Sequence, residues 1–231
     1  MKIIILSNGP GLKEIVALYG HSSEWIPNSI TDKNISFKVI KTYETSNFNV
    51  ENADGFIITG SKYSVYDNER WIKDLKNNIN DILNLDKPVL GICFGHQLLA
   101  ECLGGKVEKN LLGWELGSYN ISLTRDGKNS RLFRSFKCGD IVYESHQDVV
   151  SVLPSDAIEL AFSDKGNQSF SYGHKIFGVQ FHPEFSFDVT RKLMDLRKDR
   201  GIIIDNDQLY ESVNSKKILD NFIHIVKENI K

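Results

Sequence analysis

Cysteine is scarce in this sequence. The 231 residues include three cysteines, Cys93, Cys102 and Cys138, and none of them forms a Cys-x-x-Cys pair. An odd and sparse set of cysteines argues against a disulfide framework and against a structural zinc site. The same usage is typical of a protein that lives in a reducing compartment, so we expect a cytoplasmic protein.

Long apolar runs are missing as well. No apolar stretch approaches the roughly 20 residues that a membrane-spanning helix needs. The N-terminal sequence MKIIILSNGPG has an apolar core that is too short for a signal peptide, and it reads better as a first strand. We therefore expect no contact with a membrane.

Neither sign of charge dominates the chain. The 28 basic and 30 acidic residues give a net charge of -2, and the basic residues are dispersed along the sequence. This distribution argues against a nucleic-acid partner. The composition, 41% hydrophobic and 25% charged, suits a globular protein, and we expect a single domain over residues 1–231.

Aliphatic runs alternate with amphipathic segments in the first hundred residues. The runs predict strands at Lys2–Leu6, Phe37–Ile40, Gly55–Thr59 and Val89–Ile92. Helices are predicted at Leu12–Tyr19 and Glu69–Leu85, the second capped by Asp67 or Asn68, whereas His21–Asn34 is predicted to be irregular because it is polar and contains Pro27. This order favours a mostly parallel sheet with helices on both faces.

The pattern of apolar and polar residues changes after Gly104. Short β-like runs separated by turn residues predict antiparallel strands at Gly105–Glu108, Glu115–Leu123, Asp140–Tyr143, Ile158–Ser163, Gln168–Tyr172 and Ile176–Gln180. Two helices are predicted after them, at Asp188–Lys198 and Ser212–Asn229, so that C-terminal helices occupy about 188–230. The predicted fold class is therefore α/β: an open, mostly parallel sheet flanked by helices, with added antiparallel strands.

One turn carries a candidate nucleophile. Gly91-Ile92-Cys93-Phe94-Gly95 lies between a predicted strand and an apolar helix, which is the pattern of a nucleophile elbow. Glycines allow the sharp bend, and the helix N-terminus favours the thiolate form of Cys93. A buried free cysteine is more often a small hydrophobic residue, but the flanking glycines favour a functional interpretation here.

A cysteine nucleophile needs a base and an acid that orients the base. Four of the six histidines fit other positions better, on the surface, in a hairpin turn or on the far side of the elbow helix: His21, His224, His174 and His96. His146 and His182 remain. His182 ends an apolar strand, Pro183 blocks further strand pairing, and Glu184 follows two residues after the histidine, where it can face the same side.

GICFGHQLLA followed by FGVQFHPE resembles class I glutamine amidotransferases, the triad type, whose nucleophile lies in G-x-C-x-G-x-Q and whose His and Glu lie in H-P-E. The matching positions are Gly91, Cys93, Gly95, Gln97, His182, Pro183 and Glu184. The order nucleophile, histidine, acid differs from the order in α/β-hydrolases, which share the elbow. The resemblance covers nearly the whole chain and implies the fold predicted above.

The resemblance also implies a mechanism. Cys93 attacks the side-chain amide of glutamine to form a γ-glutamyl thioester, His182 transfers protons, and Glu184 orients His182. The backbone N–H groups of Gly60 and Phe94 form the oxyanion hole. No cofactor and no metal are implied.

Substrate recognition is implied at two further places. By resemblance, Gln97 and the segment Ser145, His146 and Gln147 bind the amino-acid end of glutamine or of another γ-glutamyl compound. Those contacts can also be made by the backbone. His146 can equally be a structural residue at the end of a strand.

Three functions stay open at this stage. The first is a glutaminase that passes ammonia to an acceptor or to a separate synthase subunit. The second is a γ-glutamyl peptidase acting on glutathione-like compounds, because Gly60–Trp71 and the helix after HPEF resemble stand-alone members of the family. The third is a non-catalytic binding module, against which the complete set of Cys93, His182 and Glu184 argues. The S-G-G-x-D-S motif of a whole GMP synthetase is not found in the sequence.

Overall fold

The computed structural model describes residues 1–137, 139–204 and 207–230, so Cys138 lies outside the described residues. The strands are β1 (Lys2–Ser7), β2 (Ser36–Lys41), β3 (Gly55–Ile58), β4 (Val89–Ile92), β5 (Lys106–Lys109), β6 (Glu115–Asn120), β7 (Ser122–Leu123), β8 (Ile141–His146), β9 (Asp148–Val152), β10 (Ala157–Ser163), β11 (Gly166–Tyr172) and β12 (Ile176–Val179). The helices are α1 (Lys13–Tyr19), α2 (Ser22–Ser29), α3 (Arg70–Leu83), α4 (Phe94–Cys102), α5 (Arg125–Asn129), α6 (Phe187–Lys198) and α7 (Lys217–Ile230).

The main sheet has the strand order β2-β1-β3-β4-β12-β11-β10-β7. Neighbouring strands from β2 to β12 run parallel, and the remaining pairs are antiparallel. Two small antiparallel sheets, β5 with β9 and β6 with β8, lie beside it. The predicted α/β fold class is confirmed, including the added antiparallel strands.

The aliphatic strands are buried on both faces. In β1, Ile3 and Ile5 pack into one core cluster, which includes residues of α2 and α7, because alternate side chains point to opposite faces. Ile4 and Leu6 pack into the other cluster, with residues of α3 and α4. This double coverage is why the parallel strands read as unbroken apolar runs in the sequence.

Parallel strands place their carboxyl ends at one edge of the sheet. β3, β4 and β12 are neighbours, and they are followed by Gly60, Cys93 and His182 respectively. The topology therefore brings three segments that are distant in sequence to one place. Such an edge is the usual ligand site of open α/β sheets.

The prediction that His21–Asn34 is irregular is wrong over much of its length. Ser22–Ser29 forms α2, and Pro27 lies within this helix. A capping box holds its start: the ring of His21 accepts from the Ser23 backbone N–H, and the Glu24 carboxylate accepts from the His21 backbone N–H. A histidine cap and an internal proline are both unusual signals, so the sequence pattern did not predict the helix.

The predicted cap of α3 is also wrong. The helix begins after Glu69, whose side chain makes no capping bond. Asp67 instead accepts a hydrogen bond from the Ser64 backbone N–H and so closes the preceding turn, and Asn68 accepts one from the Lys73 ammonium. The polar pair before α3 therefore stabilises a turn and the helix surface.

The predicted strand Glu115–Leu123 is split in two. β6 pairs with β8, whereas β7 pairs with β10 at the edge of the main sheet. Residues 148–152, for which no strand was predicted, form β9 against β5. Strand pairing of this kind depends on partners far away in sequence, and local alternation does not report it.

The C-terminal helices differ from the prediction mainly at their starts. α6 begins one residue earlier than expected, and α7 begins at Lys217 because Ser212 is engaged outside a helix: its hydroxyl donates to the Ile141 carbonyl at 2.6 Å.

The single domain over residues 1–231 stays a prediction. Within the described ranges, no helix is long and apolar enough to cross a membrane.

Candidate active site

Cys93 lies in a sharp turn between β4 and α4. Its backbone has a φ of 51° and a ψ of -104°, a strained conformation for a residue with a side chain. The Cys93 backbone N–H donates to the Val179 carbonyl at 2.9 Å, and the Cys93 carbonyl accepts from the Gln97 N–H at 3.0 Å. The turn is thus fixed both to the neighbouring strand β12 and to the first turn of α4.

The two glycines of this turn are required by close backbone contacts. A Cβ at Gly91 would lie 2.4 Å from the Gly95 carbonyl oxygen, and a Cβ at Gly95 would lie 2.3 Å from the Ile58 carbonyl oxygen. Neither backbone atom can move away without breaking the strand or the helix to which it belongs. The Gly-x-Cys-x-Gly spacing therefore has a direct steric cause at this site.

His182 and Glu184 follow β12 in a turn. The His182 ring donates from Nδ1 to Glu184 Oε1 at 2.9 Å and stacks on the Phe185 ring at 3.9 Å. The two residues share a side of the sheet because the chain turns after Val179, whereas the sequence analysis expected an extended strand end. The structure still brings the two side chains together.

His182 also lies beside Cys93, because both side chains come within 3.5 Å of the position that a Cβ at Gly60 would take. Burial alone would lower the pKa of His182. The negative charges of Glu184 and Cys93 outweigh burial and raise the pKa of His182 to about 10. At neutral pH this arrangement favours an imidazolium next to Cys93.

Gly60 packs directly against this pair. A Cβ there would lie 2.8 Å from His182 Cε1 and 3.5 Å from Cys93 Cβ. The preceding residue is held by Asn8, whose backbone N–H donates to Thr59 Oγ1 at 3.0 Å and whose side-chain amide donates to the Thr59 carbonyl at 2.9 Å. The predicted oxyanion-hole residues Gly60 and Phe94 thus both lie next to Cys93, one across the site and one in the chain.

Gln97 is buried, and its side-chain amide is used within the protein. Its Nε2 group donates to the Asp148 carbonyl and to Gln180 Oε1, both at 3.0 Å. The Asp148 carboxylate accepts hydrogen bonds from the Ser64 and Tyr66 hydroxyl groups. Gln97 therefore positions Asp148, which in turn holds the loop that follows Gly60.

Ser145, Gln147 and His146 line the same cavity as Cys93. The His146 ring is almost fully buried, and its Nε2 lies 3.2 Å from a carboxylate oxygen of both Glu115 and Glu144. Burial opposes the charged form, but the two carboxylates raise the pKa of His146 well above its usual value. Its Nδ1 donates to the Asp148 carbonyl at 3.0 Å.

The neighbouring carboxyl of Glu144 behaves differently. Burial raises the pKa of Glu144 to about 7, and the His146 ring, 3.2 Å away, only partly offsets this effect. Glu144, Glu115 and His146 thus form a buried polar cluster beneath the cavity. The His146 ring thus faces protein groups on both nitrogens: the Glu115 and Glu144 carboxylates at Nε2 and the Asp148 carbonyl at Nδ1.

Two cavities flank the Cys93–His182 pair. The first, which we call the polar cavity, has about 580 Å³ and is lined by Cys93, Gln97, Trp114 and Gln147 among others. The second, which we call the apolar cavity, has about 670 Å³ and lies beside His182. It is lined largely by residues from the N-terminal loop, α1, α2 and α6, among them Leu12, Ile15, Trp25, Phe185 and Leu193.

The sequence analysis did not identify two residues of this site, Trp114 and Arg197. Arg197 lines both cavities, and its guanidinium lies 4.6 Å from the centre of the Trp114 ring. Neither residue belongs to a recognisable motif. A cation at the end of a predicted amphipathic helix gives no signal that it faces a cleft, so only the tertiary structure reveals the pair.

Residues 14–195 match the family described as glutamine amidotransferase class-I. Gamma-glutamyl peptidase 5 of Arabidopsis thaliana is 35% identical over 162 residues, which are 69% of this chain and 64% of the relative. The glutamine-hydrolysing GMP synthase of Treponema denticola is 34% identical over 173 residues, 74% of this chain and 31% of that protein. The chain spans less than two thirds of the length of each of these relatives.

The fold comparison agrees with the sequence comparison. The crystal structure of a glutamine amidotransferase from Thermotoga maritima matches this chain with a TM-score of 0.74 and 26% sequence identity. The match covers 99% of this chain and 97% of the other. On the match of residues 14–195 and on this shared architecture, the chain belongs to the glutamine amidotransferase class-I family.

Proposed function

We propose that this protein hydrolyses the side-chain amide of glutamine through a γ-glutamyl thioester on Cys93, and that it passes the ammonia to an acceptor or to a separate synthase subunit. One observation carries the proposal: His182 lies beside Cys93 at the Gly60 backbone and is hydrogen-bonded to Glu184 on Nδ1. A buried thiol between a helix N-terminus and an imidazolium has the environment of a cysteine nucleophile.

In the first step, the Cys93 thiolate attacks the carboxamide carbon, and a C–S bond forms while the carbonyl oxygen takes up negative charge. The backbone N–H groups of Gly60 and Phe94 stabilise this oxyanion. Losing one such donor typically lowers the rate by about 10²–10³-fold. The strained backbone of Cys93 supports the role of Phe94 in the oxyanion hole, because it holds Cys93 directly before Phe94, the first residue of α4.

In the second step, the C–N bond breaks and His182 donates its proton to the leaving nitrogen, which departs as ammonia. His182, now neutral, takes a proton from water, and the resulting hydroxide attacks the thioester carbon. Glutamate leaves and Cys93 returns as thiolate next to protonated His182. Glu184 keeps the His182 ring oriented through Nδ1 in both steps.

The polar cavity is the proposed site of the amino-acid end of the substrate. Ser145 and Gln147 line it directly, and His146 and Gln97 shape it by holding the Asp148 carbonyl. Polar groups that converge on one wall are what an amino acid with two charged groups requires. All four predicted residues line the cavity, and Gln97 and His146 also support it through the Asp148 carbonyl.

A second function, cleavage of a γ-glutamyl peptide bond, is favoured by the apolar cavity. It lies on the His182 side of the site, where the amine leaves, and apolar side chains such as Leu12 and Trp25 line it, which suits a leaving amine larger than ammonia. The same Cys93 thioester would serve, with an amino acid or peptide amine in place of ammonia. The relative from Arabidopsis thaliana is named a gamma-glutamyl peptidase, which also supports this second candidate.

The test is an assay of ammonia and free glutamate after incubation with glutamine and, separately, with glutathione. Ammonia from glutamine supports the first function, and glutamate from glutathione supports the second. Without product from either substrate, alone or with a cell lysate supplying a partner, both are overturned.

The variant Cys93→Ala is expected to lower either activity by at least 10³-fold, because no other group can form the thioester. Cys102→Ala is the matched control and is expected to keep full activity. Burial raises the pKa of the Cys102 thiol to about 12, which leaves it unreactive at neutral pH. Turnover retained in Cys93→Ala would contradict the mechanism.

A further inference from the structure

Arg197 occupies an unusual position among the cations of α6. Its guanidinium carbon lies 4.6 Å from the Trp114 ring centre, and the residue lines both the polar and the apolar cavity. The next two cations along the chain are paired: Lys198 with Asp207, and Arg200, just after the helix, with Glu14. Within the described ranges, no carboxylate pairs with Arg197, and its buried Nε atom has no acceptor.

The charge of Arg197 is partly withdrawn from water without compensation. Burial lowers the pKa of its guanidinium, as does the nearby Arg200, whereas negative charge on Cys93 raises it. A half-buried cation without a counter-ion costs stability, and an anion bound in the cleft would supply the missing charge. Arg197 can therefore bind an anion in the cleft. It lies within electrostatic range of Cys93.

The position of Trp114 indicates which of the two cavities this anion occupies. The ring of Trp114 lines the polar cavity, where Cys93, Gln147 and Asp148 also lie. The contact with the ring holds the guanidinium in place, and a guanidinium held in place suits the two parallel hydrogen bonds of a carboxylate. The acyl part of a γ-glutamyl substrate carries one such group, its α-carboxylate.

We propose that Arg197, held by Trp114, binds the α-carboxylate of the γ-glutamyl group and so restricts the site to amides that carry this carboxylate. The inference rests on the proposed function, because it takes the γ-carbonyl carbon to lie at Cys93. It makes Arg197 a specificity-determining residue for either leaving amine, ammonia or a peptide amine. Simple amides without an α-carboxylate are poor substrates for this reason.

The test compares glutamine with 4-aminobutanamide, which is glutamine without its α-carboxylate, in the wild type and in Arg197→Gln. For glutamine, kcat/KM is expected to fall by about 10²-fold, mostly through KM, as is typical when one partner of a partly buried charge pair is removed. For 4-aminobutanamide the change is expected to stay under about threefold, since this substrate has no group for Arg197 to bind. Arg197→Lys, which keeps the charge and loses the fork, is expected to lie in between.

Arg200→Gln is the matched control, because Arg200 is exposed on the same segment and paired with Glu14. It is expected to leave both substrates within about threefold of the wild type. An equal loss on both substrates in Arg197→Gln would show a structural role and overturn the proposal. So would a loss that depends on a carboxylate in the leaving amine, seen with γ-glutamylglycine but not with γ-glutamyl methylamide.

A binding measurement separates this inference from the proposed function, because it needs no turnover. Calorimetry of wild-type protein is expected to detect L-glutamate and to find 4-aminobutanoate at least about tenfold weaker, with the difference lost in Arg197→Gln. If no γ-glutamyl compound is turned over but this pattern holds, the proposed function fails and the Arg197 site stands. Equal binding of the two ligands, or no binding of either, overturns the Arg197 site.

Discussion

At the scale of single residues, the site depends on how three buried side chains share charge. Cys93, His182 and Glu184 are each less than a tenth exposed, and the negative charges of Glu184 and Cys93 keep an imidazolium in a place where burial disfavours it. The charge state of His182 is therefore set by its two neighbours and not by solvent. This makes it possible to move the working pH range of the protein with one substitution.

Glu184→Gln removes the negative charge that contributes most to raising the pKa of His182 from its usual value near 6.5 to about 10. The pKa of His182 is expected to fall. In the proposed mechanism His182 must hold a proton to donate it to the leaving nitrogen, so the loss of kcat/KM at high pH is expected to begin at a lower pH than in the wild type. At pH 8 the rate is expected to drop by at least about 10²-fold.

A pH–rate profile of glutamine or γ-glutamyl hydrolysis measures this shift. Glu228→Gln, which removes an exposed carboxylate paired with Arg131 on the surface, is the control and is expected to leave the profile unchanged. A profile in Glu184→Gln with its high-pH limb where the wild type has it would contradict the assignment of Glu184 as the residue that sustains the charge of His182.

At the scale of secondary-structure elements, the start of α6 links the site to the rest of the chain. Ser186, two residues after Glu184, caps this helix: its hydroxyl oxygen accepts from the Val189 backbone N–H at 3.2 Å. The helix ends at Lys198, so the same element carries Arg197 into the cleft. The capping bond therefore fixes the direction in which α6 leaves the Glu184 turn.

Ser186→Ala is expected to lower the free energy of unfolding by about 1 kcal/mol, the usual cost of losing a helix cap. Urea denaturation followed by circular dichroism measures it. Glu69→Ala at the start of α3 is the matched control, since Glu69 makes no capping bond there, and a change within about 0.5 kcal/mol is expected. Equal losses in the two variants would show that the Ser186 hydroxyl does not act as a cap.

At the scale of the whole molecule, the packing reaches beyond the region that matches the family. The match ends at residue 195, but α7 lies after it and buries Phe222, Leu219 and Val226 against the sheet. Val226 is so close to β3 that a Cβ at Gly55 would lie 2.8 Å from it. The C-terminal helix is thus part of the main core, and we expect it to unfold together with the sheet.

Phe222→Ala is expected to destabilise the protein by about 3–5 kcal/mol, because it leaves a cavity in a core that cannot easily collapse. His224→Ala, on the exposed side of the same helix, is expected to change the free energy of unfolding by less than about 0.5 kcal/mol. Thermal or urea unfolding of the full chain measures both. A small effect of Phe222→Ala would mean that α7 is not part of the cooperative core.

The sequence by itself determined the central part of the sheet. Aliphatic runs such as Lys2–Leu6 and Gly55–Thr59 predict strands buried on both faces, and the structure confirms them within one or two residues. The spacing of Gly91, Cys93 and Gly95 predicted the sharp turn, because close backbone contacts exclude any side chain at the two glycines. Signals of this kind are local, and a local pattern can be read without knowing what packs against it.

Only the tertiary structure determined the features that depend on contacts between residues far apart in the sequence. α2 needs the His21 cap and burial against the sheet to tolerate Pro27, and β6 and β7 separate because each finds a different partner strand. The pair of Trp114 and Arg197 forms only when β6 and α6 come together at the cleft. The sequence thus reveals the residues proposed to react with the substrate. Arg197, which is proposed to select it, is revealed only by the folded structure, since no short-range pattern places a cation over a ring so far away in sequence.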